Sequence, residues 1–331
     1  MSNNVHCEIC QYELNKEYYP KHLENEHLNE FEELRFIIKQ LILSNIDLKD
    51  IAKDFNLPLS YLMNEAEVNK INRNFVQENE TNYKINTQPL KLGPDSFNVE
   101  TTTVWSFPER GQWATHNPKY RGNWSPHIPR NILLRYSRAG DTVLDQFVGS
   151  GTTLIESKIL NRNAIGVDIN PVAVNLTKRN LDFQATKDTK IDVVNGDARN
   201  LNFINDSSID LICTHPPYSD IIRYSENIDG DLSLLGIEDY FLNMQSVARE
   251  CKRVLKKGKY CAILIGDTRK KGNIVPLGFQ VMQTYISAGF VLKEIIIKEQ
   301  HNCSSTPYWR EQSLKYNFLL IAHEYLFILR S

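Results

Sequence analysis

The residues best placed to do chemistry lie at 211–218, Leu-Ile-Cys-Thr-His-Pro-Pro-Tyr. The apolar run 209–213 predicts a short buried strand, and it stops at a polar residue followed by two prolines. Two prolines cannot continue a ladder, so the chain is fixed in a stiff, extended turn. That turn holds the carbonyl of His215 or Pro216 and the ring of Tyr218 just beyond a strand's carboxyl end, where open α/β sheets bind ligands. A fixed acceptor beside an aromatic plate suits a flat base with an exocyclic amino group, and the matching chemistry is methyl transfer to that nitrogen. Pro-Pro-aromatic also occurs in plain turns, so its weight depends on the elements that position it.

Those elements begin at 141–156, Asp-Thr-Val-Leu-Asp-Gln-Phe-Val-Gly-Ser-Gly-Thr-Thr-Leu-Ile-Glu. A strand over 142–145 runs into a glycine turn and then a helix that starts near Thr152. Gly149 and Gly151 let the backbone approach a ligand where a β-carbon would collide. The spacing is neither the dinucleotide nor the phosphate-loop pattern. About one helix later, 163–170 ends a second strand in Asp168, placed to accept hydrogen bonds from both hydroxyls of a ribose. A third strand end, 193–198, carries Asp197 beside Ala198. Each acid alone could cap a helix, but three strand-end acids in this order after a glycine turn argue against caps alone.

Both anchors resemble motifs of the S-adenosylmethionine-dependent amino methyltransferases of DNA. Residues 214–218 are similar to motif IV, Asp/Asn/Ser-Pro-Pro-Tyr/Phe. Residues 145–153 match motif I, Asp-x-Phe-x-Gly-x-Gly-Thr-Thr, almost residue for residue, and 124–134 resembles motif X. The resemblance implies an α/β, Rossmann-like class I methyltransferase fold over 101–331, a mostly parallel sheet with a C-terminal antiparallel hairpin. It implies S-adenosylmethionine as cofactor, with Asp145, Phe147, Gly149, Gly151 and Thr152 around the methionine end and Asp197 and Ala198 at the adenine. His215, Pro216, Pro217 and Tyr218 would then be the catalytic set. The target base, flipped out of double-stranded DNA, would stack on Tyr218. Cytosine-C5 enzymes need a Pro-Cys nucleophile, and no Pro-Cys dipeptide occurs here.

His215 departs from the family pattern. A neutral imidazole accepts one hydrogen bond, whereas a protonated one only donates. Activity is therefore expected to fall as His215 protonates, with a limb between about pH 5.5 and 8. Thr214 resembles the Thr-Ser-Pro-Pro-Tyr form of many N4-cytosine enzymes, which favours cytosine N4 slightly over adenine N6. Two other functions stay open: an RNA enzyme of the tRNA guanine-N2 type, and a catalytically silent nucleic-acid-binding module on the same scaffold.

Nucleic-acid contacts are expected where charge and aromatic rings interleave. Between residues 101 and 140 there are six basic residues and one acid, with Trp105, Phe107, Trp113, Tyr120, Trp124 and Tyr136 among them. Arg110, Lys119 and Arg121 are the candidates there, although the tryptophans could instead be core, the role favoured for Trp124. Arg223 and Tyr224 fall in a loop that could approach the base. A polar loop over 301–315 carries Trp309 and Arg310. An amphipathic helix is predicted over 238–256, a buried strand over 259–267, a helix over 277–288, and two final strands over 291–298 and 318–328.

The amino-terminal third differs in character. Cys7-x2-Cys10 followed by His22-x4-His27 suits one structural zinc in a finger-like segment over 1–30. Residues 31–75 are helical and resemble a helix-turn-helix, yet residues 1–75 carry eight Lys and Arg against thirteen Asp and Glu, which opposes phosphate binding. The polar stretch 76–100 is a linker. A charged fraction of 24% with 41% hydrophobic residues is that of a folded chain, and no apolar run is long enough to span a bilayer, so a cytoplasmic protein with no membrane partner is expected. A cognate restriction enzyme is a possible partner, and the oligomeric state is open. Elemental analysis of the purified protein should find stoichiometric zinc, lost on Cys7→Ser; a metal-free protein would dispose of the finger.

Overall fold

The structure is a computed structural model; it describes residues 4–6, 13–15, 19–20, 57–58, 60–63 and 91–331, apart from 118, 119, 121, 226, 271 and 302–305. The chain divides into two units, Met1–Asn86 and Thr87–Ser331. In the first, strands β1 (Asn4–His6) and β2 (Glu13–Asn15) pair antiparallel, and residues 60–63 are helical with Leu57 and Leu62 buried. The zinc candidates Cys7, Cys10, His22 and His27 lie outside the described residues, as does most of the helix-turn-helix segment.

The second unit is built around β7 (Ile209–Thr214), all six of whose residues are buried. Only a strand covered on both faces can have that pattern. Beside it lie β4 (Thr142–Asp145), then β5 (Asn163–Asp168) and β6 (Ile191–Asn195), all parallel. On its other side β8 (Leu255–Ile265) is also parallel, and β12 (His323–Arg330) and β11 (Val291–Glu299) form an antiparallel hairpin against it. The two-residue strand β3 (Val104–Trp105) closes the edge, giving the order β3-β11-β12-β8-β7-β4-β5-β6. The chain winds one way from β4 to β6 and then returns to β7 on the opposite side of β4. The β4/β7 boundary is therefore the switch point, where the crevice for a ligand forms.

Side chains alternate across this sheet with the period of two that strands impose. Val143, Leu211, Cys213, Ala262 and Leu264 face one apolar layer with Ile128, Ile132 and Leu133 of α1 (His127–Tyr136) and Leu154 of α2 (Thr152–Ile159). Leu144, Ile212, Cys261 and Ile263 face the other, against Tyr240, Met244, Val247 and Cys251 of α4 (Ile237–Val254) and Val281 of α5 (Leu277–Ser287). Between β5 and β6 runs α3 (Pro171–Asn180), capped by the Asn170 side chain, which accepts from the Val172 amide.

The expected α/β architecture with its terminal hairpin is present. Three local features differ from the sequence expectation. The last strand, expected over 318–328, spans His323–Arg330. The segment read as a polar loop over 301–315 contains α6 (Thr306–Tyr316), whose apolar residues form no continuous stripe and so left no periodic signal. A small hairpin, β9 (Thr268–Lys270) with β10 (Asn273–Val275), follows β8. No helix among the described residues is long and apolar enough to cross a membrane.

Close packing under the glycine turn is testable at Gly166 of β5. A β-carbon there would lie 2.6 Å from Leu154 Cδ2 and 2.8 Å from Val148 Cγ2. Gly166→Val should destabilise the protein by about 1–3 kcal/mol in denaturant unfolding, with the loop holding Val148 displaced.

Candidate active site

At the switch point Asp145 ends β4 with its side chain buried. Its Oδ1 accepts from Thr214 Oγ1 at 2.8 Å and from the Phe147 amide at 3.1 Å, and its Oδ2 accepts from Thr153 Oγ1 at 2.6 Å. One carboxylate thus ties the end of β7, the glycine turn and the first turn of α2. Burial pushes its pKa up to about 6, with the two threonine hydroxyls and the amide opposing the rise.

The glycine turn is held from several directions. Gly149 and Gly151 both have positive φ, +52° and +88°. The Gly149 amide donates to Asp168 Oδ2 at 2.9 Å, and its carbonyl accepts from Thr177 Oγ1 at 2.8 Å. Asp168 Oδ1 accepts from the Asn170 amide at 2.9 Å. Burial raises the Asp168 pKa. Above the turn the Tyr120 ring lies 3.1 Å from where a Gly149 β-carbon would be, and it stacks on Tyr224 at 6.3 Å between centroids.

These residues line a cleft at the carboxyl ends of the parallel strands. Of the residues expected to hold the cofactor, Asp145, Phe147, Gly149, Thr152, Asp168, Asp197 and Ala198 line it. Gly151 does not; a β-carbon there would lie 2.9 Å from Thr177 Cγ2, so its freedom serves packing against α3. Each Asp168 oxygen receives one backbone amide and keeps a lone pair, so the carboxylate can accept from both hydroxyls of a ribose. Asp197 is different, because both its oxygens take hydrogen bonds from Arg199, the shortest at 2.6 Å. The acceptors at Asp168 therefore fit a ribose, while the Asp197 end of the cleft carries an ion pair that the sequence did not foretell.

His215 stands between this cleft and a broader outer groove, lining both. Trp124 stacks on its ring at 5.5 Å between centroids and 26° between planes, so Trp124 is both core and site. His215 Nε2 lies 2.8 Å from Tyr218 Oη, and that hydroxyl donates to Glu324 Oε1 at 2.7 Å. Lys298 Nζ donates to Glu324 Oε2 at 2.9 Å. Burial lowers the His215 pKa to about 4, against the pull of Glu324. The acid limb expected between about pH 5.5 and 8 accordingly moves down to about pH 4, because a shielded imidazole is harder to charge. Of the proline-turn carbonyls, that of Pro217 accepts from Tyr240 Oη at 2.7 Å, whereas those of His215 and Pro216 take no hydrogen bond among the described residues.

The basic and aromatic patch is mostly spent inside the protein. Trp105 and Trp113 are buried, and the buried Glu156 carboxylate receives Trp113 Nε1 at 2.5 Å, with Arg130 and His116 each at 2.8 Å. Arg110 lines the outer groove, yet its guanidinium donates to the carbonyls of Asn123 and Trp124. Trp309, half exposed, and Tyr224 also line that groove; Arg310 is exposed and outside it. Lys119 and Arg121 lie outside the described residues. Glu324 and Lys298 went unnoticed in the sequence because nothing local marks them; only the sheet brings them beneath Tyr218.

The pKa of Asp145 has a consequence for stability. The folded chain binds this proton more tightly than the unfolded one, so stability falls as pH rises from the ordinary 3.8 to about 6 and is flat above. Asp145→Asn should remove that term. Its stability relative to wild type, from paired denaturation curves, should improve over this window by a few kcal/mol, of the order of about 3.

The sequence model of the DNA methylase family matches residues 3–179 and 209–331. That of an RMKL-like methyltransferase domain matches 132–233. The tRNA (guanine(10)-N2)-dimethyltransferase of Methanothermobacter thermautotrophicus is 37% identical over 100 residues, 30% of this chain and 29% of that protein. The type II methyltransferase M.HpaI of Haemophilus parainfluenzae is 37% identical over 84 residues, 25% of this chain and 26% of that one. The chain thus spans less than a third of the length of either relative. A SAM-dependent methyltransferase structure from Methanosarcina mazei aligns at 16% identity with a TM-score of 0.44, over 60% of this chain and 96% of that one. Because the first model takes in both the glycine turn and the proline turn, this chain belongs to the DNA methylase family.

Proposed function

We propose that the protein is a DNA methyltransferase acting on the exocyclic amino group of a base, cytosine N4 or adenine N6, turned out of duplex DNA. The observation that carries this is the shared wall: His215 lines both the cofactor cleft and the outer groove, and Thr214 beside it is bonded to Asp145 at the mouth of the cleft. A base admitted from the groove would meet His215 and the free Pro216 carbonyl on the side away from the glycine turn.

Asp168 would hold S-adenosylmethionine at the ribose and the Phe147–Gly149 bend would hold its methionine end; when bound it would supply the methyl group from its sulfonium. The chain's own residues make the amino nitrogen receptive. An aromatic amine is a poor nucleophile because its lone pair is delocalised into the ring. One amino proton bonded to His215 and the other to the Pro216 carbonyl favour a pyramidal nitrogen whose lone pair points into the cleft, and positioning supplies much of the rate. Trp124 fixes the imidazole plane, and Tyr218 offers its ring to the base. A role beside a restriction enzyme agrees with the type II methyltransferases among the relatives.

An RNA substrate has its own support in the resemblance to a tRNA dimethyltransferase over 100 residues. Transfer of a tritiated methyl group separates the two: duplex DNA should be labelled and total tRNA not, and the reverse would favour RNA. On DNA, His215→Ala should lower kcat by about tenfold to a hundredfold. His215→Asn should keep more activity and lose the acid limb at about pH 4.

A further inference from the structure

We propose that Glu324 is a positioning residue that acts through the Tyr218 hydroxyl to hold His215 with its proton on Nε2 and its lone pair on Nδ1. What Nδ1 accepts rests on the amino-group chemistry proposed above; the placement of the proton does not.

Counting protons leads to this arrangement. A tyrosine hydroxyl has one proton to give and lone pairs to receive with. Burial alone would raise the pKa of Glu324, but Lys298 and the hydrogen bonds around the carboxyl outweigh it and hold Glu324 below the ordinary range. An ionised carboxylate can only accept, and a bond donated to it is roughly twice as strong as one between neutral groups. The Tyr218 proton therefore goes to Glu324 Oε1, 2.7 Å away. The Tyr218 oxygen must then accept at its contact with His215 Nε2, 2.8 Å away, and only a protonated Nε2 can supply that bond. A neutral imidazole has one proton, so Nδ1 is left as an acceptor. Nδ1 makes no hydrogen bond among the described residues, and it is not among the sealed, partnerless buried atoms.

The support for this relay is built into the sheet. Lys298 and Glu324 are directly opposed in the β11/β12 register, so the cation stands across from the carboxylate whatever the loops do. The imidazole cannot swing away, since Trp124 stacks on it and Tyr218 meets it nearly edge-on at 62°. The charged groups that act on His215 are Glu324 from β12, Lys298 from β11 and Arg110 from the segment before α1; the two cations oppose its protonation and Glu324 favours it. Glu324 thus does not serve to charge the imidazole. It selects which nitrogen carries the proton.

The consequence is a side chain that offers a substrate amino group one acceptor of fixed direction. If the Tyr218 hydroxyl turned and donated to Nε2, the imidazole proton would move to Nδ1 and the acceptor would become a donor. An amino group would then face a donor and lose its bond.

Nitrogen-15 NMR on the full-length chain labelled at histidine tests this, with His215→Asn identifying the resonances. Wild type should show a protonated Nε2 and an unprotonated Nδ1 at neutral pH. Glu324→Gln removes the charged acceptor, and Tyr218→Phe removes the hydroxyl while leaving the Lys298–Glu324 pair to support the fold. Each should bring the Nδ1-protonated form into the spectrum. Glu324→Gln should also lower kcat on duplex DNA by about tenfold with the KM for S-adenosylmethionine unchanged. A wild-type proton on Nδ1, or nitrogen shifts that neither variant moves, would overturn the proposal. A wild-type spectrum as expected from a protein that methylates no nucleic acid would leave the relay standing and defeat the proposed function instead.

Discussion

The fold and the site both hang on one buried carboxylate. A charge inside a protein is costly unless donors surround it, and Asp145 has three, each from a different element: Thr214 at the end of β7, Thr153 in α2, and the Phe147 amide in the glycine turn. Removing any one of them would leave the buried carboxylate short of a donor. The two loops that meet at the switch point are thereby fixed to one atom cluster, and the distance between cofactor cleft and proline turn is set by side chains only a few bonds long.

The remaining acids of the crevice divide the labour. Asp168 is satisfied by two amides, Gly149 and Asn170, which leaves lone pairs facing the cleft and explains its burial without a cation. Asp197 is paired with Arg199, and Arg199 is anchored in turn on Asn243 of α4. A carboxylate held by a guanidinium is oriented by that partner, so the Asp197 end of the cleft is shaped by a helix that precedes β8 rather than by the strand end alone. The family model leaves residues 180–208 unmatched, the stretch that contains this pair.

Much of this was legible in the sequence wherever cause and effect lie close together along the chain. The strand Thr142–Asp145 and the helix beginning at Thr152 have the bounds that the glycine spacing demanded, because a turn of that kind admits few alternatives. The buried strand before His215 and the terminal hairpin were legible for the same reason. Trp105, Trp113 and Arg130 were not. Their interleaving suggested a nucleic-acid face, but Trp105 is core, and Trp113 and Arg130 enclose the buried acid Glu156, 43 and 26 residues away. Glu324 lies 106 residues from Tyr218 and reaches it only through the pairing of β8 with β12, information that no local pattern contains.

The network also disfavours an aspartate at position 215. An aspartate at 215 would set a second carboxylate near Glu324, with only the single Tyr218 proton between them. A second negative charge there would raise the pKa of one carboxyl, and a carboxyl that takes up a proton becomes a donor. Imidazole avoids the conflict. It can bring its own proton to Tyr218 and keep a lone pair on the other nitrogen, so residues 215 and 324 are chemically linked through Tyr218 although far apart in the chain. The choice at the proline turn is then a property of the sheet behind it as much as of the groove in front.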